Sequence, residues 1–198
     1  VTKFGIHLGA ARCRGRCFGE KIVFLFQLMR VLGIDPSVRG TGYAVLEWDD
    51  RKTRAVAWGK IHNPPRLSHV ACLAAIYREL HLVIESHQPD HAAIEGVIYV
   101  QNTRTAILLG GARGAALVAV GQSDLPLFEY PARLVKKAVT GFGGAAKQQV
   151  GFMMRALLGL RENPDSDVAD AMAIALTHIQ AQRILKSTGG TRSPKTKG

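Results

Sequence analysis

Two short apolar runs, residues 31–34 and 92–94, each end on a carboxylate, Asp35 and Glu95. Runs of this length between turn signals read as buried strands. An acid that closes such a strand is costly to desolvate unless it meets a counter-charge, commonly a cation. Either acid alone could cap a helix or pair with an arginine. Two of them on separate strands call for a fold that exposes both strand ends to a shared partner.

The remaining pattern supplies that fold. After Asp35, Pro36-Ser37 with Gly40 and Gly42 reads as a turn. Residues 43–48 and 53–61 read as strands joined by a hairpin at Asp49-Asp50-Arg51-Lys52. Pro64-Pro65 breaks the chain, and Leu67, Val70, Ala71, Ala74, Leu80, Val83 and Ile84 then recur at helical spacing, up to a stop at Pro89. A long Ala- and Gly-rich helix is expected over residues 102–120, a fifth strand over 127–130, and helices over 132–139, 145–160 and 167–182. The order βββαβαβ followed by helices predicts an α/β protein, a mixed five-stranded sheet flanked by helices. No repeat of 20–50 residues is present.

A chain of 198 residues, with 47% hydrophobic and 21% charged residues, has the composition of a globular protein of about one domain plus tails. The net charge of +11 is unevenly spread. Residues 1–30 contribute +5 and residues 183–198 another +5, so the stretch between is nearly neutral. Within it, residues 96–161 hold eight Lys or Arg against only Asp124 and Glu129. Such a block beside acidic flanks suits a polyanionic partner. Residues 1–28 are too short in apolar length to span a membrane and lack a secretory cleavage pattern. They lack the serines of an organellar transit peptide. They read as an N-terminal extension of doubtful nativeness, with one folded domain over 29–182 and a basic, disordered tail over 183–198. Cys13, Cys17 and Cys72 are too few for a disulfide framework, which points to a reducing compartment. Cys13 and Cys17 lack the second ligand pair that a zinc site would need.

Asp167 and Asp170 stand three apart at the head of a predicted helix, so both carboxylates face one side. Helix capping accounts for Asp165 or Asp167 but not for Asp170. Four carboxylates, Asp35, Glu95, Asp167 and Asp170, form an oxygen-only donor set suited to Mg²⁺, with Mn²⁺ as the alternative. Two such ions would suit phosphodiester hydrolysis. His178, farther along the same helix, reads as a surface or packing histidine.

Several segments, taken in order, resemble a known family. They are Leu32-Gly33-Ile34-Asp35-Pro36-Ser37, Gly40-Thr41-Gly42-Tyr43, Ala93-Ile94-Glu95 through Asn102, Gly110-Gly111-Ala112-Arg113-Gly114, Phe128-Glu129-Tyr130 and Asp167-Val168-Ala169-Asp170 through His178. Together they are similar to the RuvC family of bacterial crossover (Holliday) junction endodeoxyribonucleases, over residues 29–182. The resemblance implies a ribonuclease-H-like fold, a homodimer, a bacterial cytoplasmic setting and metal-dependent paired nicking of four-way DNA junctions. The nicks would carry 5′-phosphate and 3′-hydroxyl ends.

By the same resemblance the catalytic and metal-binding acids fall on Asp35, Glu95, Asp167 and Asp170, with two ions expected. DNA-contacting lysines fall on Lys136 and Lys147, which solvated helix lysines would also explain, and Arg104 is a further candidate contact. The family often has a base-stacking aromatic three positions after the strand acid; that place is Ile98 here, and the aromatic is Tyr99. The helix over residues 102–120 matches the family's dimer seam, although packing on the chain's own sheet would also explain its small residues. Branch-migration partners RuvA and RuvB are implied by family alone, and no membrane is. A non-catalytic junction-binding protein of the same fold is the alternative, and it would ordinarily have lost one of the acids. The turn at residues 33–42 also resembles the phosphate turn of actin-like ATPases and sugar kinases, which need a second half that this length does not provide.

Overall fold

A computed structural model describes residues 28–96 and 102–188. The expectations for residues 1–27, for Ile98 and Tyr99, and for residues 189–198 lie outside them. Ten elements follow in order: β1 (Met29–Asp35), β2 (Gly40–Trp48), β3 (Thr53–His62), α1 (His69–His87), β4 (His91–Glu95), α2 (Thr103–Gln122), β5 (Leu127–Tyr130), α3 (Ala132–Thr140), α4 (Lys147–Leu158) and α5 (Ser166–Ser187). They form one five-stranded sheet in the order β3-β2-β1-β4-β5. β1 to β3 pair antiparallel, whereas β4 runs parallel to both β1 and β5. The mixed sheet expected from the strand pattern is therefore present.

Alternation along the central strands divides the core in two. Leu32, Ile34, Val45 and Ile94 face α1 and α2, meeting Ile76, Leu80, Ala112 and Ala116. Val31, Ala44, Leu46 and Ala93 face the other way, toward α5 with α3 and α4 around it. α5 is buried continuously from Val168 to Ile179 except at Asp170, because it lies between the sheet and the α3–α4 pair.

Two glycines permit that close approach. A Cβ on Gly33 would run into the Ala171 carbonyl oxygen, and one on Gly42 into the Asp167 carbonyl oxygen. The sequence reading of Gly42 and Gly40 as turn formers is corrected here: both belong to β2. The turn before them is held by Thr41, whose buried hydroxyl donates to the Ser37 carbonyl at 2.6 Å.

α5 continues to Ser187, past the expected boundary at 182, so residues 183–187 are helical rather than part of a disordered tail. Its last turn lies on Trp48 through Arg183 and Lys186. α4 is shorter than expected at both ends; Gly159 stops it in the left-handed conformation at φ 66°. α2 is long and apolar enough to cross a membrane by length and composition. Nonetheless, its small residues Ala112, Ala116 and Ala119 are buried in the α1 and sheet core, and its Arg113 pairs with Glu129 at 2.6 Å.

Candidate active site

β1 and β4 run side by side in the same direction, so both bring their C-terminal acids to the same sheet edge. Asp35 pairs in register with Gly42, the residue against which the first turn of α5 packs. The head of α5 is thereby set over the two strand ends. Asp165 caps that helix, its carboxylate accepting from the Asp167 amide at 3.0 Å, and Asp170 follows one turn later. A cavity of ≈ 310 Å³ opens here, lined by Asp35, Glu95 and Asp170 and by Lys136 and Lys147 from α3 and α4.

The three acids are poorly compensated. Among the described residues, no lysine or arginine comes within ion-pairing distance of the Asp35 or Glu95 carboxylate, and Asp170 has only Lys147 at 3.7 Å. Burial, followed by the charges of Asp170, Glu95 and Asp167, pushes the Asp35 carboxyl up from 3.8 to about 7, against a smaller pull from Lys147. Glu95 is raised by burial and by Asp170, with Lys136, Lys147 and Arg113 opposing. Asp170 is raised chiefly by burial. Buried carboxylates that disfavour their own ionised form are a recurrent property of functional sites.

Asp167 stands apart from the cavity lining. Its carboxylate is bound by Lys60 of β3 at 2.6 Å, and the same ammonium lies 3.5 Å from Asp165. Three of the four expected acids thus share the cavity, while the fourth is held at its rim. Lys136 and Lys147 sit at the cavity as well. Arg104 is exposed in the first turn of α2, with no contact to this centre.

The donor set fits a hard divalent cation: it is all oxygen, half-buried and short of positive charge. Among the described residues, no three His, Cys, Asp or Glu side chains are gathered closely enough to hold an ion by themselves.

Three features escaped the sequence reading. Lys60 looks like any exposed residue on an alternating strand, and only the fold brings it to Asp167. Arg113 donates to the Glu95 carbonyl and pairs with Glu129, fixing the end of β4; its signal was a cation in the middle of an Ala- and Gly-rich helix. His178 is fully buried, which bears out its reading as a packing rather than a surface histidine but leaves its polar partners unforeseen. It bridges His91 Nδ1 and the Tyr130 hydroxyl at 2.8 Å each, and burial pushes its pKa down to about 4.

A helix-flanked mixed sheet of this order, with acids at the ends of two adjacent parallel strands beneath a third helix, has the ribonuclease-H-like nuclease architecture. The family model of the crossover junction endodeoxyribonuclease RuvC matches residues 31–178, and the chain belongs to that family. Relatives with that description include one from Akkermansia muciniphila, 47% identical over 159 residues and covering 80% of this chain and 95% of its own length. Another, from Pelotomaculum thermopropionicum, is 42% identical over 151 residues and covers 76% of this chain and 92% of its own length. Among solved structures, Thermus thermophilus RuvC in complex with a Holliday junction substrate superposes with a TM-score of 0.74 at 34% identity, over 79% of this chain and 96% of that one.

Proposed function

We propose that the chain is a crossover junction endodeoxyribonuclease that resolves four-way DNA junctions by phosphodiester hydrolysis in recombination and repair. The observation that carries this reading is the cavity in which Asp35, Glu95 and Asp170, under-compensated and half-buried, face Lys136 and Lys147. Family membership supports it independently.

The family is one of metal-dependent nucleases. In this chain Asp35, Glu95, Asp170 and Asp167 would hold Mg²⁺ or Mn²⁺, with two ions expected. When bound, such ions supply a nucleophile from water at neutral pH and neutralise charge on the phosphate oxygens. The chain's own residues do the rest. Lys136 and Lys147 attract a phosphate to a centre that would otherwise repel it and hold it in register. Lys147 also opposes the rise that burial imposes on the Asp170 pKa, because its ammonium lies 3.7 Å away. Arg113, through the Glu95 carbonyl, fixes the strand end from which the Glu95 carboxylate projects. In-line displacement leaves 5′-phosphate and 3′-hydroxyl ends.

We further propose a homodimer, because one such site per subunit makes two symmetric cuts only when two subunits face one junction. α2 offers the seam through exposed Ile107, Leu108 and Val118. The chain would act in the bacterial cytoplasm, with RuvA and RuvB as branch-migration partners.

Cutting of a labelled four-way junction against a sequence-matched linear duplex, with and without Mg²⁺, tests the reading. Only the junction with Mg²⁺ is expected to be nicked, and Asp35→Asn or Asp170→Asn should abolish nicking while junction binding persists. Nicking that survives both substitutions would overturn the site.

A further inference from the structure

We propose that a second groove, beside the catalytic cavity and built from the α3–α4 turn and the outer face of α4, is a stacking site for a DNA base. This rests on the reading of the chain as a junction nuclease and adds a base-binding subsite to it. The groove encloses ≈ 410 Å³ and is lined by Phe142 and Phe152, with Thr140, Gln148, Gln149 and Met153 around them.

Two aromatic rings are left in water here. Phe142 is 68% exposed and Phe152 is 52% exposed. Phe142 is nevertheless held firmly. Gly141 ends α3 in the left-handed conformation at φ 79°, and the Thr140 hydroxyl then accepts from the Phe142 amide at 3.2 Å, its single proton shared between the Lys136 carbonyl at 2.8 Å and the Phe142 carbonyl at 2.9 Å. The Ala145 amide closes the turn on that same carbonyl at 3.2 Å. The ring lies on Gly144, where a Cβ would come within 2.8 Å of its edge. The ring is thus backed by Gly144 and largely open to solvent, and the turn that carries it is already ordered. A rigid platform of this kind loses little entropy on binding a planar partner. Phe152 carries the Arg155 guanidinium 5.3 Å from its ring centre.

Charge selects the occupant. Residues 130–161, which carry the groove, contain Arg133, Lys136, Lys137, Lys147, Arg155 and Arg161 and no acidic residue. An apolar peptide gains nothing from such a field, whereas a nucleic-acid strand brings phosphates for the cations and flat bases for the rings. The amides of Gln148 and Gln149 on the rim can meet base edges. α4 joins the two sites directly, since Lys147 lines the catalytic cavity and Gln148 the groove. A strand held at the acids therefore has a base platform one helix away.

The test measures binding of a fluorescent four-way junction by the Asp35→Asn protein carrying further substitutions at the groove. Phe142→Ala is expected to weaken binding roughly ten-fold, as loss of a base-stacking aromatic does. Phe142→Trp should bind at least as tightly as the parent, and Phe142→Leu as weakly as alanine. Gly144→Ala, which displaces the ring without removing it, should weaken binding too. The slope of affinity against salt should stay unchanged in these variants and fall in Lys137→Ala. Unchanged affinity in a folded Phe142→Ala protein, or full retention by Phe142→Leu, overturns the proposal. A loss that tracks dissociation of subunits in sedimentation also overturns it, in favour of a second copy as occupant. Cutting by the wild-type chain is read separately, so failure of the nuclease reading is distinguishable from failure of the groove.

Discussion

The sheet buries acids at both ends and treats them in opposite ways. At the β1–β2 end opposite the cavity, Glu47 is only 2% exposed. It accepts from Arg30 Nε at 2.8 Å and from Arg54 Nε at 2.6 Å. Burial works to raise its pKa, but these two arginines outweigh burial and hold the carboxyl below its usual value. At the other end Asp35 is raised to about 7, with Lys147 opposing the shift. The same fold can therefore give a buried acid its counter-charge, and at the cavity it withholds one. That difference separates an acid that maintains structure from one that awaits a partner.

The largest expected consequence lies in catalysis. Asp170→Asn should lower junction cutting roughly 10³-fold or more, the scale of several kcal/mol of lost charge stabilisation. Glu47→Gln should leave the rate within about two-fold of wild type while costing roughly 2 kcal/mol of stability, as lost charge-assisted hydrogen bonds do. Cutting rates and melting temperatures measured on the same preparations check both. A Glu47→Gln protein that melts like wild type but no longer cuts would dissolve the contrast.

Stability without metal should move in the reverse sense. Because the folded-state pKa of Asp35 lies above its unfolded value of 3.8, the native state binds more protons than the unfolded state between pH 4 and 7. The ionised group therefore costs stability, in full above pH 7 and not at all below about 3.8. A shift of this size corresponds to an upper value of about 4 kcal/mol. Asp35→Asn should raise the melting temperature in EDTA by about 5 °C or more at pH 8. The gain should vanish near pH 4 and shrink when Mg²⁺ is added. Melting curves across that range would expose an error if the gain were independent of pH.

A third buried group gives the comparison an internal control. His178 is neutral and satisfied by His91 and Tyr130, so its stabilising contribution is present above pH 6.5 and lost as pH falls toward its folded value of about 4. The slope is opposite in sign to that of Asp35. His178→Gln should therefore flatten the fall in stability between pH 6.5 and 4, a change of up to about 3 kcal/mol at the acid end. Equal acid slopes in mutant and wild type would place the acid sensitivity elsewhere.

What the sequence revealed follows from how local each signal is. Asp35 and Glu95 were legible because an acid after an apolar strand breaks a short-range pattern. Asp170 stood out because capping does not account for it. Arg54 and Glu47, by contrast, look like ordinary charged residues until the antiparallel register sets them opposite each other. His178 could be read as a surface or a packing residue, because its partners lie 48 and 87 positions away. Gly40 and Gly42 read as turn formers although they sit inside a strand, since the close passage of α5 over Gly33 and Gly42 leaves no trace nearby in sequence. The helix end at Ser187 was misplaced because no glycine or proline follows residue 182 until Gly189.

Lys60 tests the comparison where it is weakest, for it gives Asp167 the counter-charge that Asp35 and Glu95 lack. If Asp167 serves an ion, the Lys60 pair must open first, and its strength is subtracted from the ion's affinity. The lysine is one-third exposed, and such pairs are worth only about 0.2–1 kcal/mol. Lys60→Met should therefore tighten Mg²⁺ binding about two- to five-fold in calorimetric titration of the DNA-free protein. Weaker binding would mean instead that the lysine holds Asp167 in place for the ion. The rim would then differ from Glu47 and from the cavity acids alike, as an acid that its own cation positions for the ion.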